Sequence, residues 1–261
     1  MTDGRRADAV RAGAVLVAAV AQIAGSPLGT ALAGRSVGEV SDATRALITP
    51  AGYAFSIWGP IFAGALAWAV YQALPAQQGR AVHRRTGWPL AAAFAGNAVW
   101  ELVFPLVGDR VPVLPAVLLF AIVAAAATAW ARLQAIPLTG LPRLLPAAVT
   151  GLLLGWVTLA SAVQVATAGV ALGAPAQGAA AQVWAVVALA AVATLGTALV
   201  WVARVAAGPF ALAVVWGLLA VAVDGGPGVV AAAAVAAAVV VTGTLAVRVA
   251  GRRGRGALLV G

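Results

Sequence analysis

The chain contains no cysteine and no lysine, one histidine (His83), and charged side chains at only 9% of its 261 positions. Without cysteine there is no disulfide, no thiolate metal site and no cysteine nucleophile. A lone histidine beside Arg84 and Arg85 does not make an all-protein zinc or haem centre, so no metal site is assigned. A phosphate-binding loop, a Gly-x-Ser-x-Gly elbow, an HExxH pair and paired intramembrane aspartates are also missing. Ser161 has no histidine to activate it. Hydrolytic and phosphoryl-transfer chemistry have no residues to carry them, and no catalytic residue is assigned. The shortage of charge excludes a soluble domain too, since such a domain carries roughly a quarter of its residues charged.

What remains is apolar. Hydrophobic residues make up 63% of the chain, and the mean hydropathy is +1.02. They arrive in runs of about twenty, the length that crosses a hydrocarbon core as a helix. Eight such runs cover about 12–33, 50–74, 88–107, 112–133, 144–170, 182–203, 209–223 and 229–250. The expected fold is an all-α, polytopic membrane helix bundle. The seventh run is short, but Asp224-Gly225-Gly226-Pro227-Gly228 is a turn signal that separates it from the eighth. Seven spans, with the last two fused, is the alternative. Arg5, Arg6 and Arg11 precede the first run as they would in a secretory signal, but its length and the spans that follow read as a first helix.

The net charge of +9 sits at the ends of the runs and forms no stripe with interleaved aromatics. A nucleic-acid partner is therefore not expected. With the N-terminus inside, the inner segments hold Arg5, Arg6, Arg11, Arg80, Arg84, Arg85, Arg132, Arg143, Arg204, Arg248, Arg252, Arg253 and Arg255. Only Arg35, Arg45 and Arg110 remain outside. By the positive-inside rule both termini are cytoplasmic and the chain is a multi-pass protein of the inner (plasma) membrane. The Ala/Val/Gly/Arg bias suggests a GC-rich bacterial source. Alanine-rich stretches at 124–127 and 231–238 are candidates for close helix packing.

Polar groups inside a span are costly and call for explanation. The third run carries Asn97 and Glu101, four residues apart and so on one face, with Trp100 beside them. The fifth carries Trp156, Thr158, Ser161 and Gln164, and the second opens with Tyr53, Phe55 and Trp58. The predicted topology puts these groups from three spans in the outer half of the membrane. Aromatic walls with a few polar handles are the usual lining of a small-molecule pocket. Other readings stand beside this one. Trp88, Trp184 and Trp201 fit an interfacial belt. Asn97 and Gln164 could serve interhelical hydrogen bonds. Glu101 could snorkel to water, make an internal contact or couple to protons.

The run Pro50-Ala51-Gly52-Tyr53-Ala54-Phe55-Ser56-Ile57-Trp58-Gly59-Pro60-Ile61-Phe62 resembles the second-helix signature of the TspO/MBR family, the tryptophan-rich sensory proteins and translocator protein. Asn97-Ala98-Val99-Trp100 is similar to the Asn-x-x-Trp of that family's third helix, and Pro146 with Trp156 and residues 159–164 to its fifth. The resemblance covers roughly residues 10 to 170. It implies a TspO-like five-helix core over residues 1–170, with a cavity below the loop joining the first two spans. Residues 171–261 would then be three additional spans and a basic tail. The family's ligands are porphyrins and other tetrapyrroles, sterols and related hydrophobic compounds. Carried over, Tyr53, Phe55, Trp58, Asn97, Trp100 and Trp156 would line or border the cavity. Tyr53 stands where tryptophan is common, Ser161 and Gln164 replace a usual asparagine, and Glu101 follows the Asn-x-x-Trp unit directly.

The expectation is a receptor that binds a hydrophobic or amphipathic small molecule through Tyr53, Phe55, Trp58, Asn97, Trp100, Glu101, Trp156, Ser161 and Gln164. No obligatory cofactor is implied, and a porphyrin or haem-like molecule would be a ligand. Partners are membrane lipid and that small molecule, with a homo-oligomer left open. A secondary transporter of a small hydrophobic solute and a tetrapyrrole-modifying intramembrane enzyme are the rival readings.

Overall fold

In hydrocarbon an apolar run can satisfy its backbone only within itself or in a closed barrel, so runs of this length become helices. The computed structural model describes residues 2–136, 140–224 and 226–251, and among them there is helix and no strand. Ten helices follow one another: α1 (Thr2–Ala33), α2 (Val37–Ala43), α3 (Trp58–Ala73), α4 (Pro75–Gln78), α5 (Ala81–Val107), α6 (Val113–Leu133), α7 (Leu141–Ala171), α8 (Gly178–Val202), α9 (Ala207–Val223) and α10 (Gly228–Ala250). A 3-10 turn, Gly52–Ile57, leads into α3. The tail residues Arg252, Arg253 and Arg255 lie outside the described residues, as does the side chain of Arg143.

Seven helical stretches, counting the 3-10 turn together with α3 as Gly52–Ala73, are long and apolar enough to cross a membrane. The eighth apolar helix is α9, with 17 residues and so about 25 Å long, slightly less than a ~30 Å hydrocarbon core. It is separate from α10, so the last two apolar runs are not fused. The helices overrun the apolar runs where arginines flank them: α1 starts at Thr2 and α5 at Ala81. Polar side chains at an interface do not stop the backbone ladder.

Helices α1, α5, α6, α7 and α3 close into a ring in that order, each packed on the next. Helices α8, α9 and α10 form a second group, seated on the ring mainly through α9 against α7. Two glycine pairs set the closest approaches. A Cβ on Gly25 would stand 3.0 Å from both the Ala98 carbonyl oxygen and Glu101 Cβ, and one on Gly29 would overlap the Glu101 carbonyl oxygen. On α7, a Cβ on Gly151 would come within 2.8 Å of the Ala206 carbonyl oxygen, and one on Gly155 would strike that of Phe210. Both pairs have the small-xxx-small spacing that lets backbones meet in lipid. In the alanine stretches only one face is buried: Ala126 in α6, and Ala234, Ala237 and Ala238 in α10.

The bundle has two unlike ends. One carries the start of α1 and most of the arginines. There Asp8 and Arg11, both nearly inaccessible, pair at 2.5 Å, and Arg84 Nη2 donates to Asp8 at 2.6 Å. Arg11 Nη2 also donates to the Gln78 carbonyl oxygen at 2.6 Å, its side chain crossing α5 at Gly87, where a Cβ would sit 2.5 Å from Arg11 Cδ. The opposite end carries residues 34–57, which we term the lid, spanning the gap from α1 to α3. Its short helix α2 is fixed by a capping box: the Ser36 hydroxyl accepts from Glu39 N–H, and Ser36 N–H donates to the Glu39 carboxylate at 2.6 Å.

Candidate functional site

Beneath the lid lies a cavity lined by Ser41, Pro50 and Phe55 from the lid, Trp100 and Phe104 from α5, Leu119 from α6, and Trp156, Leu159, Ala160, Val163 and Gln164 from α7. Its position follows from the ring. The large side chains of α5 and α7 point inward at this end, and the lid closes the space above them. Its open centre is about 40 Å³, against the ~10–15 Å³ that one water requires. Counted with the narrow gaps around it and the open space at its mouth, the empty volume is about 400 Å³.

Four of the sequence-predicted residues meet at this cavity: Phe55, Trp100, Trp156 and Gln164. Trp156 is the hub. Phe55 stands edge-on to it at 6.0 Å, as does Trp58 at 6.1 Å, while Trp58 stacks on Phe62 at 5.2 Å. Trp58 thus lies behind Trp156 and borders the site without lining it. Across the cavity Trp100 stacks on Phe104 at 4.8 Å. The indole N–H groups of Trp58, Trp100 and Trp156 are buried, with no acceptor among the described residues. An aromatic cage with unpaired donors suits a flat apolar body carrying acceptors at its edge. The Gln164 amide makes only a long contact, 3.4 Å, to Thr167 Oγ1.

The other predicted residues go elsewhere. Asn97 is fully buried and faces α1, where its Nδ2 donates to Gln22 Oε1 at 3.4 Å. Glu101, 1% exposed, sits at the same α1–α5 seam against the Gly25–Gly29 surface, away from water. Asn97 is seven residues from Phe104 and so nearly in line with it along α5, yet neither Asn97 nor Glu101 lines the cavity. The Ser161 hydroxyl donates to the Val157 carbonyl oxygen at 2.7 Å and is occupied within its own helix. Tyr53 is half exposed, its ring edge-on to Trp216 of α9 at 5.4 Å, outside the cavity. Trp88, Trp184 and Trp201 are exposed on the bundle's outer surface, where belt residues belong.

Sequence reasoning missed Ser41, Pro50, Phe104, Leu119, Leu159, Ala160 and Val163. Phe104 follows Trp100 by four and Val163 follows Leu159 by four, so helical spacing from the named tryptophans could have found the α5 and α7 members. Ser41 had a different signal, the Ser36-x-x-Glu39 capping box that announces α2. Also missed were the buried polar residues near the arginine-rich end. His83, Gln72 and Trp68 are fully inaccessible there, and Trp68 and Tyr71 lie 6.1 and 5.9 Å from the His83 ring.

A second, wider groove of about 260 Å³ lies on the other side of α7, between Leu47 and Ile48 of the lid, the end of α7 and the start of α8. Its walls are almost entirely Ala, Val, Gly and Leu with one tryptophan, Trp184. It offers no side-chain hydrogen-bonding group except that indole.

The family model described as TSPO-like protein matches residues 12–247 of the chain. The match begins in α1 and ends in α10, so it takes in the three helices outside the ring as well as the ring itself. No curated protein and no solved structure matches the chain.

Proposed function

Because the chain belongs to the TSPO-like protein family, we propose that it is a membrane receptor taking a hydrophobic or amphipathic small molecule, tetrapyrrole or sterol in class, into the cavity beneath the lid. The observation that carries this reading is the aromatic cage of Phe55, Trp100, Phe104 and Trp156 around that cavity, bordered by three buried indole N–H groups without acceptors. Burying such donors unpaired is unfavourable, and a ligand with carboxylate or hydroxyl oxygens would pair them. The apolar walls would hold its body, and the Gln164 amide, held only by a long hydrogen bond among the described residues, would offer it a polar contact.

The same geometry sets a condition. Drug-sized ligands occupy pockets of roughly 300–1,000 Å³, and the open centre is about 40 Å³. Binding on this reading requires the lid to move and the crevices to merge. The arginine-rich end is taken as cytoplasmic, by the positive-inside rule, so the lid faces outward from the plasma membrane. Ligand would enter from the outer side or the outer leaflet.

The test is titration of the purified protein with protoporphyrin IX and, separately, with a sterol, followed by quenching of tryptophan fluorescence. Saturable binding should weaken roughly two- to tenfold in Trp100→Phe and in Trp156→Phe, the range of one aromatic contact. Trp201→Phe, on the outer surface, should leave it unchanged. Saturable quenching with the same affinity in all three variants would place the ligand elsewhere, and no saturation with either compound would remove the reading.

A further inference from the structure

The lid is held from two sides. Below it are the cavity and the ring, which Pro50 and Phe55 face. Beside it runs α9, and the contacts there are polar and specific. Trp216 Nε1 donates to the Ala54 carbonyl oxygen at 3.0 Å. The Ala220 carbonyl oxygen accepts from Ala51 N–H at 3.1 Å. Asp224, at the end of α9, pairs with Arg45, and the Trp216 ring meets Tyr53.

Residues 216, 220 and 224 are four apart, so they form one stripe along α9. They meet lid residues 54, 51 and 45 in reverse order, as a strap laid along the helix would be met. The held residues alternate with the covering ones: Ala51 and Ala54 are fastened to α9, while their neighbours Pro50 and Phe55 face the cavity. Phe55 and Pro50 therefore cannot swing aside without breaking the bonds to Trp216 and Ala220. Helix α9 is itself a firm anchor. Gly151 and Gly155 of α7 admit its backbone, and Gly217 of α9 admits Leu159 of α7, which also lines the cavity.

We infer that α9 is the latch of the lid, with Trp216 and Asp224 as positioning residues that touch no ligand and set how readily the cavity opens. This deepens the receptor reading by giving the helices beyond the ring a part in it. The latch itself is a property of the protein without ligand.

The absence of native cysteine makes the test direct. A single thiol is introduced by Ala160→Cys on the α7 wall of the cavity, and the full-length protein in detergent is treated with a water-soluble methanethiosulfonate. The labelling rate reports opening. It should rise about fivefold, the effect of losing one ordinary hydrogen bond, when Trp216→Phe removes the indole N–H but keeps a ring for Tyr53. Asp224→Asn, at a partly exposed position, should raise it as well. Leu212→Ala, on an exposed part of α9, should leave the rate unchanged. Equal rates in Trp216→Phe, Asp224→Asn and the parent overturn the latch, and so does an equal rise in Leu212→Ala, which would signal general loosening. Because no ligand is used, failure of protoporphyrin or sterol to bind leaves this result standing, and the converse holds too.

Discussion

Gly29 of α1 lies directly against the backbone of Glu101 in α5, so close that a single added methyl would overlap the Glu101 carbonyl oxygen. The same helix carries Gly25, whose added Cβ would stand 3.0 Å from the Ala98 carbonyl oxygen. The two helices run parallel through this contact, and no side chain of α1 separates them there. Gly29→Val should force them apart. Overpacking of this kind costs about 1–3 kcal/mol, visible as a lowered thermal midpoint in detergent. Gly13→Ala, where nothing lies within 4 Å of the new methyl, should not lower it. Equal midpoints for Gly29→Val and the parent protein would show that the seam yields.

Asn97 and Glu101 belong to that seam and not to the cavity wall. Asn97→Ala removes a long interhelical hydrogen bond to Gln22, an interaction worth about 0.6 kcal/mol on average in a membrane. Its effect should appear in stability, with protoporphyrin affinity held within about twofold. Glu101→Gln keeps the shape of the side chain and should behave likewise. A tenfold loss of affinity in either variant, with stability unchanged, would mean that the seam is part of the binding site.

How much of this could be read in advance differs between backbone and side chains. Hydrophobic runs placed all eight apolar helices, because in lipid a run of that length has almost no alternative conformation. The depth of Trp100 and Trp156 was legible for the same reason. The facing of Asn97 and Glu101 was not. A depth argument puts Asn97 and Trp100 at one level, but they are three residues apart, and only the neighbours of α5 decide which one faces the ring's interior. The glycines of α1 bear on it: Gly25 and Gly29 meet Ala98 and Glu101, which sets Glu101 at the α1 seam, while Trp100 and Phe104 line the cavity. The spacing Gly25-x-x-x-Gly29 was in the sequence, though nothing there says which helix it receives. Contacts between α9 and the lid were less legible still, since hydropathy carries no information about pairs 162 or 179 residues apart.

At the arginine-rich end, Asp8 is a single acid between two arginines. Asp8→Ala would leave the buried Arg11 guanidinium without its counter-charge, at a cost of about 3–5 kcal/mol for breaking a buried pair. Arg84→Ala should cost less, because Arg84 is more than half exposed and water replaces what it loses. Chemical denaturation of both variants beside the parent measures the order. Arg84→Ala proving the more harmful would contradict the burial argument.

Acid should weaken the lid end. The hydrogen bond from Arg35 at 2.7 Å, with the charge of that guanidinium, holds the Asp109 carboxyl below the usual carboxylate range. The Ser36 backbone N–H and hydroxyl do the same for Glu39. A depressed folded-state pKa adds stability that is fully present above the unfolded value, about 4, and is lost as pH falls through the folded value. These two groups therefore contribute nothing to pH dependence between about pH 6 and 8 and begin to withdraw their support only below about pH 4. The thermal midpoint of Asp109→Asn should lie below that of the parent at pH 7, and the gap should narrow as pH falls below about 4. A gap that stays constant down to the acid limit of the folded protein would assign the effect of the substitution to something other than charge.

The fastening of Arg45 to Asp224 has a consequence for how the protein is made. The ribosome must add 179 residues after Arg45 before its partner exists, whereas every helix of the ring is complete by Ala171. A newly made chain therefore passes through a stage in which all five ring helices and the lid exist but the residue that Arg45 pairs with does not. Fastening waits for α9, so a chain cut short before that point would carry its stopper untied.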